Sequence, residues 1–162
     1  NIPLNGKVHG VIDWEYRYNL MRTHTALHIL CGVVWRDYKA LVTGGDMKPL
    51  SARMDFEFES ISADFSINIQ TLINKEVQAS RPVKIGHLPR KDALENPDLI
   101  RTKINLLPKN IAEVRTVDIV GLDLQADGGT HVANTKEVGY IHVVGHESKG
   151  RANKRLRIKL DS

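Results

Sequence analysis

The stretch YRYNLMRTHTALHILCGVVWRDY, residues 16–38, decides how the rest of the chain is read. Leu20, Leu27, Leu30, Val34 and Tyr38 recur at helical spacing, and Ala26, Ile29 and Val33 widen the apolar stripe. A stripe this wide belongs to a mostly buried helix over Tyr16 to Tyr38. Within it, His24-Thr25-Ala26-Leu27-His28 sets two imidazoles four residues apart, one turn distant on one face. That spacing lets two ring nitrogens converge on one metal ion, and it equally suits two histidines satisfied by polar neighbours. Position 25 is threonine where the zincin motif needs glutamate, so a metalloprotease is excluded.

Outward from this helix, Ala40 to Thr43 leads into Gly44-Gly45-Asp46, and Ser51 to Glu59 returns, which predicts a hairpin. Ala52, Met54, Phe56 and Phe58 share its inner face, and Arg53, Asp55, Glu57 and Glu59 its outer one. Ser62 or Asp64 caps a second helix running to about Ala79, with Phe65, Ile69, Leu72, Ile73 and Val77 inward and Pro82 ending it. Val83 to Leu88 reads as a strand, and Pro89 to Pro108 as a polar connection with a short helix. Glu113 to Asp123 is strand-like and passes through Leu124-Gln125-Ala126 into the tight turn Asp127-Gly128-Gly129. Val138 to His146 and Arg155 to Leu160 form two antiparallel strands around the basic loop Glu147 to Lys154. Upstream, Val8-His9-Gly10-Val11-Ile12 alternates and reads as one more strand. The order predicts an α+β fold: an antiparallel sheet packed with two main helices, with the metal site between the first helix and the sheet.

Composition narrows the class. The chain has 162 residues, one domain's worth or one domain plus a short attachment. With 41% hydrophobic and 26% charged residues, disorder is excluded as the main state. The longest membrane-like stretch, Ile29 to Trp35, falls far short of the roughly 20 apolar residues a bilayer needs. Asn1 to Gly10 has no apolar core of a secretion signal. A single cysteine excludes a disulfide framework and fits a reducing compartment, so a cytoplasmic location is expected. The net charge of +4 permits a nucleic-acid partner without requiring one.

A second cluster, Asp127-Gly128-Gly129-Thr130-His131, sets a carboxylate and an imidazole around two glycines. With the helix pair it makes a His24, His28, Asp127, His131 set for zinc. Asp127 also suits a turn residue that caps its own backbone through Gly129. Cys31 is seven residues from His24, a rise of about 10 Å, so it reads as a small buried hydrophobe and not as a ligand. Gly44-Gly45 lacks the Lys-Ser/Thr ending of a phosphate-binding loop and reads as a turn. Lys149, Arg151, Lys154, Arg155, Arg157 and Lys159 form a basic stretch without an intervening acid.

His24-Thr25-Ala26-Leu27-His28, Asp127-Gly128-Gly129-Thr130-His131-Val132 and Lys149-Gly150-Arg151-Ala152-Asn153-Lys154-Arg155 occur in that order, after Ile12-Asp13-Trp14-Glu15-Tyr16-Arg17-Tyr18. Together they resemble the editing domain of alanyl-tRNA synthetase and its freestanding relatives, the AlaX trans-editing proteins, from about residue 11 to the C-terminus. Freestanding members often carry a small β-barrel before this point. The resemblance therefore implies a remnant or last strand of that barrel over residues 1–12 and the catalytic domain over residues 13–162. It implies zinc-dependent hydrolysis, in trans, of the ester joining serine, and sometimes glycine, to tRNA(Ala), with a metal-polarised water as nucleophile. An activation pocket shaped for alanine discriminates by only ~10² against an added hydroxyl, which makes a second, hydroxyl-reading site useful.

The family's second half-site commonly reads Cys-x-x-x-His, and Asp127 stands at the cysteine position. An aspartate oxygen is an acceptable zinc ligand, harder than a thiolate. Thr25 and Thr43 are the candidates to hydrogen-bond the serine hydroxyl, and Gln125 and Thr130 to orient ligands. Lys149, Arg151, Lys154 and Arg155 are the expected contacts to acceptor-stem phosphates of tRNA(Ala). A homodimer or a separate recognition partner would present that tRNA. Two rival readings carry forward: editing of Ser-tRNA(Thr) in the manner of threonyl-tRNA synthetase, and a tRNA-binding module whose metal chemistry has decayed.

Overall fold

A computed structural model describes residues 6–58, 62, 64–103, 107, 110–150 and 152–162. The first helix, α1, covers Trp14–Tyr38. It begins where the Asp13 side chain accepts the Tyr16 N–H at 3.0 Å and ends at Lys39, in the left-handed region at φ 55°. Thr23 and every residue from Thr25 to Val34 are buried, as the wide stripe requires. The strands β1 (Val42–Lys48) and β2 (Ser51–Phe56) follow, then α2 (Phe65–Gln78), β3 (Val83–Pro89) and the short α3 (Arg90–Glu95). The chain continues through β4 (Glu113–Ile119), β5 (Asp123–Ala126), β6 (Ile141–Ser148) and β7 (Lys154–Leu160).

The strands build two antiparallel sheets in place of the single one expected, ordered β1-β2-β7-β6 and β3-β4-β5. α1 and α2 pack Ile29, Leu30, Val33, Ile69 and Ile73 against Phe56, Leu156 and Ile158 of the four-stranded sheet, in one core cluster. A smaller cluster of Ala93, Leu99 and Val114 lies under the three-stranded sheet.

Three local expectations are corrected. Gly44-Gly45-Asp46 lies inside β1, and the turn comes at Pro49-Leu50, with Leu50 at φ 59°. The Leu50 N–H donates to the Thr23 hydroxyl at 2.8 Å, which ties that turn to α1. The long strand expected to reach Asp123 breaks after Ile119, where Gly121 takes φ 77° and starts a second strand back along the first. Val8 to Ile12 forms no strand: Lys7 to Asp13 is exposed and irregular, and none of the described strands pairs with it. Glu59, Pro108 and Arg151 lie outside the described residues. Among the described residues no helix is long and apolar enough to cross a membrane.

Candidate metal centre

α1 carries His24 and His28 past the end of β5, where Asp127 begins the turn that brings back His131. One ligand atom from each of these four residues lies within 4.8 Å of the others. Asp127 Oδ2 is 3.1 Å from His131 Nε2, and Oδ1 is 3.5 Å from His24 Nε2 and 3.9 Å from His28 Nε2. The His24 and His131 rings stack at 4.2 Å between centroids, and His28 stands edge-on to both, at 5.0 and 4.6 Å. All three Nε2 atoms therefore face one carboxylate. Nδ1 of His24 and Nδ1 of His28 are buried without a hydrogen-bond partner among the described residues. Three imidazoles and a carboxylate are a fitting donor set for zinc.

The electrostatics of the four residues differ. Burial, reinforced by the neighbouring charges of His28 and His131, brings His24 down to about 4. Burial likewise lowers His131, so both rings are neutral near pH 7, the form that ligates metal. Burial pushes His28 down too, but the carboxylates of Asp123 and Asp127, 3.7 and 3.9 Å away, outweigh it and raise the ring to about 9. For Asp127, burial works to raise the carboxyl, and the surrounding imidazoles overcome it and hold it well below the usual carboxylate range.

Asp127 holds its own turn and also faces the histidines. Oδ2 accepts the Gly129 N–H at 2.6 Å and closes the turn, while Oδ1 faces His24 and His28. Arg115 of β4 donates to the Asp127 main-chain carbonyl at 2.8 Å and fixes the turn from the other side. Thr25 is fully buried: its hydroxyl accepts the Val132 N–H at 3.2 Å and lies 3.1 Å from His131 Nδ1, which aims Nε2 of that ring at the cluster. Thr43 is exposed and donates to Asn153 Oδ1 at 2.9 Å. Burial pushes the Cys31 thiol up, and the side chain stays outside the four-residue group.

Asp123 and Arg115 escaped the sequence reading. Strand alternation was the available signal, since Asp123, Gln125 and Asp127 are two residues apart and share a face. Gln125 donates its amide N–H to Asp123 Oδ2. Beside Asp127 and Gly128 opens a cleft of about 510 Å³ walled by Leu99, Ile100, Val114 and Ala126, with Arg101 and Arg115 at its polar edge.

Residues 114–157 match the family described as the threonyl and alanyl tRNA synthetase second additional domain. Over 156 residues, 96% of this chain, the sequence is 40% identical to the alanyl-tRNA editing protein AlaX-M of Saccharolobus solfataricus. Over nearly its whole length, the chain is similar in sequence to proteins named AlaX-M. The AlaX-M protein of Methanosarcina acetivorans is 34% identical over 154 residues, 95% of this chain. The chain spans 65% and 63% of the lengths of those two relatives. An alanine–tRNA ligase of Methanococcus maripaludis is 32% identical over 143 residues, 86% of this chain and 16% of the ligase.

The basic stretch is not a free cationic strip. Lys154 is buried, and its Nζ donates to Ser148 Oγ at 3.0 Å and to the Gly150 carbonyl at 2.8 Å, holding the β6–β7 loop. Arg155 donates to both oxygens of Asp55, at 2.7 and 2.8 Å. Lys149 and Arg157 both reach Glu147, at 3.4 and 2.7 Å. The acids missing from the linear run come from β2 and β6, beside β7 in the sheet. Because Asp55 is buried, Arg155→Ala takes two hydrogen bonds from its carboxylate and leaves it with Arg53, at 3.3 Å. Arg155→Ala and Asp55→Ala are each expected to lower Tm, and the double variant to lose less than the two losses combined. Simple additivity in thermal unfolding would show that the pair contributes nothing.

Proposed function

We propose that residues 13–162 act as a zinc-dependent aminoacyl-tRNA deacylase that hydrolyses Ser-tRNA(Ala), and Gly-tRNA(Ala), in trans. The observation that carries this reading is the convergence of His24, His28, Asp127 and His131. Relatives named as alanyl-tRNA editing proteins support it, as does the shared stretch of an alanine–tRNA ligase. A zinc ion held by the four residues would supply Lewis acidity toward water and the ester carbonyl.

The protein's own groups set the stage for that chemistry. Burial keeps His24 and His131 unprotonated near neutral pH. Were Nε2 of His131 to ligate the metal, its Nδ1–H would donate to Thr25, and the Val132 N–H fills the second lone pair of that hydroxyl. One O–H donor then remains on Thr25, which is what a serine hydroxyl would accept. Thr43 would need to give up Asn153 to do the same. The cleft beside Asp127 offers room and apolar walls for the aminoacyl group and the terminal nucleoside. Lys149 and Arg151 are the remaining proposed contacts to the acceptor stem, which a second copy or a separate partner would help present.

Purified without chelator, the protein is expected to carry about one zinc per chain and to cleave Ser-tRNA(Ala) about 10²-fold or more faster than Ala-tRNA(Ala), as hydroxyl-reading sites do. No metal after reconstitution, with no hydrolysis, would sink the proposal. Asp127→Cys is expected to keep zinc and measurable hydrolysis despite losing the Gly129 cap, because a thiolate matches the charge and is a softer ligand. Asp127→Ala is expected to lose much of both, and Asp127→Asn to retain the turn while losing metal. Unchanged zinc content in Asp127→Ala would show that three histidines suffice.

A further inference from the structure

Asp123 is a buried carboxylate in a place that the fold goes to some trouble to keep. Its side chain is inaccessible to solvent, and Oδ2 points at His28 Nδ1 from 3.7 Å. Oδ1 lies 3.4 Å from the Nε of Arg101, and the Arg101 guanidinium sits 4.6 Å over the Trp35 ring. Gly32 lies one turn after His28 on α1, in the interior of a helix where glycine is disfavoured relative to alanine. A Cβ at position 32 would lie 2.8 Å from Asp123 Cβ and 3.0 Å from Leu122 Cγ. The glycine therefore buys the close approach of Asp123 to the His28 face of the helix. His28 Nδ1, meanwhile, is one of the two buried ring nitrogens with no hydrogen-bond partner.

We propose that Asp123, braced by Arg101 and admitted by Gly32, is the positioning residue for His28: it accepts the Nδ1–H hydrogen bond and so presents Nε2 to the metal. A ligating histidine commonly hands its second N–H to a carboxylate, which fixes the tautomer and the ring angle and strengthens the ligand. A closure of well under 1 Å brings the 3.7 Å separation into hydrogen-bond range. The inference rests on the four-residue centre proposed above.

The test pairs zinc titration by calorimetry with long-range ¹H–¹⁵N spectra of the histidine rings, on the wild-type chain and on Asp123→Asn, Asp123→Ala and Gly32→Ala. Asp123→Ala is expected to weaken zinc binding about 10–100-fold, the range seen when such an outer partner is removed. Its His28 ring is expected to lose the downfield Nδ1 proton that marks a bond to carboxylate. Asp123→Asn keeps an acceptor oxygen without the charge and is expected to fall between, and Gly32→Ala to follow Asp123→Ala. A purely structural role would lower the Tm of the metal-free protein and leave the His28 nitrogen shifts of the zinc-loaded protein unchanged. Asp123→Asn and Asp123→Ala binding zinc as tightly as wild type would overturn the assignment while leaving the metal centre standing. Wild type that takes up no zinc would overturn the centre and this assignment together.

Discussion

His28→Ala is expected to leave a folded protein that no longer holds zinc, with deacylation lost in step. His28 is buried, and two carboxylates flank its ring. Removing a group that only supports a ligand costs about 10–100-fold in metal affinity, so removing the ligand itself is expected to cost at least the upper end of that range. The wild-type titration has its own signature. The ring is held protonated up to about pH 9, and the metal needs it neutral, so uptake releases a proton. Apparent affinity is expected to rise with pH toward about 9, by up to about tenfold per unit for this one proton, and then to level off. His28→Ala that still binds one zinc tightly, with a flat pH dependence, would remove this ring from the centre.

The second large effect separates two adjacent glycines. A Cβ at Gly129 would fall 2.5 Å from His24 Nδ1, closer still to Cε1 of that ring, and 3.2 Å from Asp127 Oδ2. Packed atoms do not approach so closely, and His24 cannot easily withdraw while its ring is stacked on His131. Gly128 has nothing within 4 Å of the same position. Gly129→Ala is therefore expected to abolish zinc binding and hydrolysis, and Gly128→Ala to leave both near wild type. Equal behaviour of the two variants in zinc titration would show that the second glycine serves only the turn.

What the sequence disclosed followed the reach of its signals. The helix at 14–38 was plain because its periodicity runs over many turns, and the half-sites were plain because each is local. The hairpin turn was misplaced because Gly44-Gly45 is a turn signal in one dimension. In the sheet, Gly44 lies across from Asp55, a Cβ there would meet the Asp55 carboxylate at 3.4 Å, and the strand runs on to Lys48. Arg155 looked free for the same kind of reason: its partner Asp55 is a hundred residues away and becomes a neighbour only through β2–β7 pairing. Asp123 was hidden by the break at Gly121, which turned the end of an apparent long strand into the start of a short one facing α1. Each omission concerns a side chain whose meaning depends on which strand lies beside it.

The placement of the half-sites also imposes an order in time. Ninety-nine residues separate His28 from Asp127. At a synthesis rate of about 5–20 residues per second, the ribosome needs roughly 5–20 s to make that interval. α1 can begin to bury itself against β1, β2 and α2 as they emerge, but the face bearing His28 and Gly32 has no cover until Leu122 and Asp123 are made. The nascent chain therefore carries a matched pair of imidazoles, able to capture a passing cation, well before the carboxylate and third ring that complete the set exist.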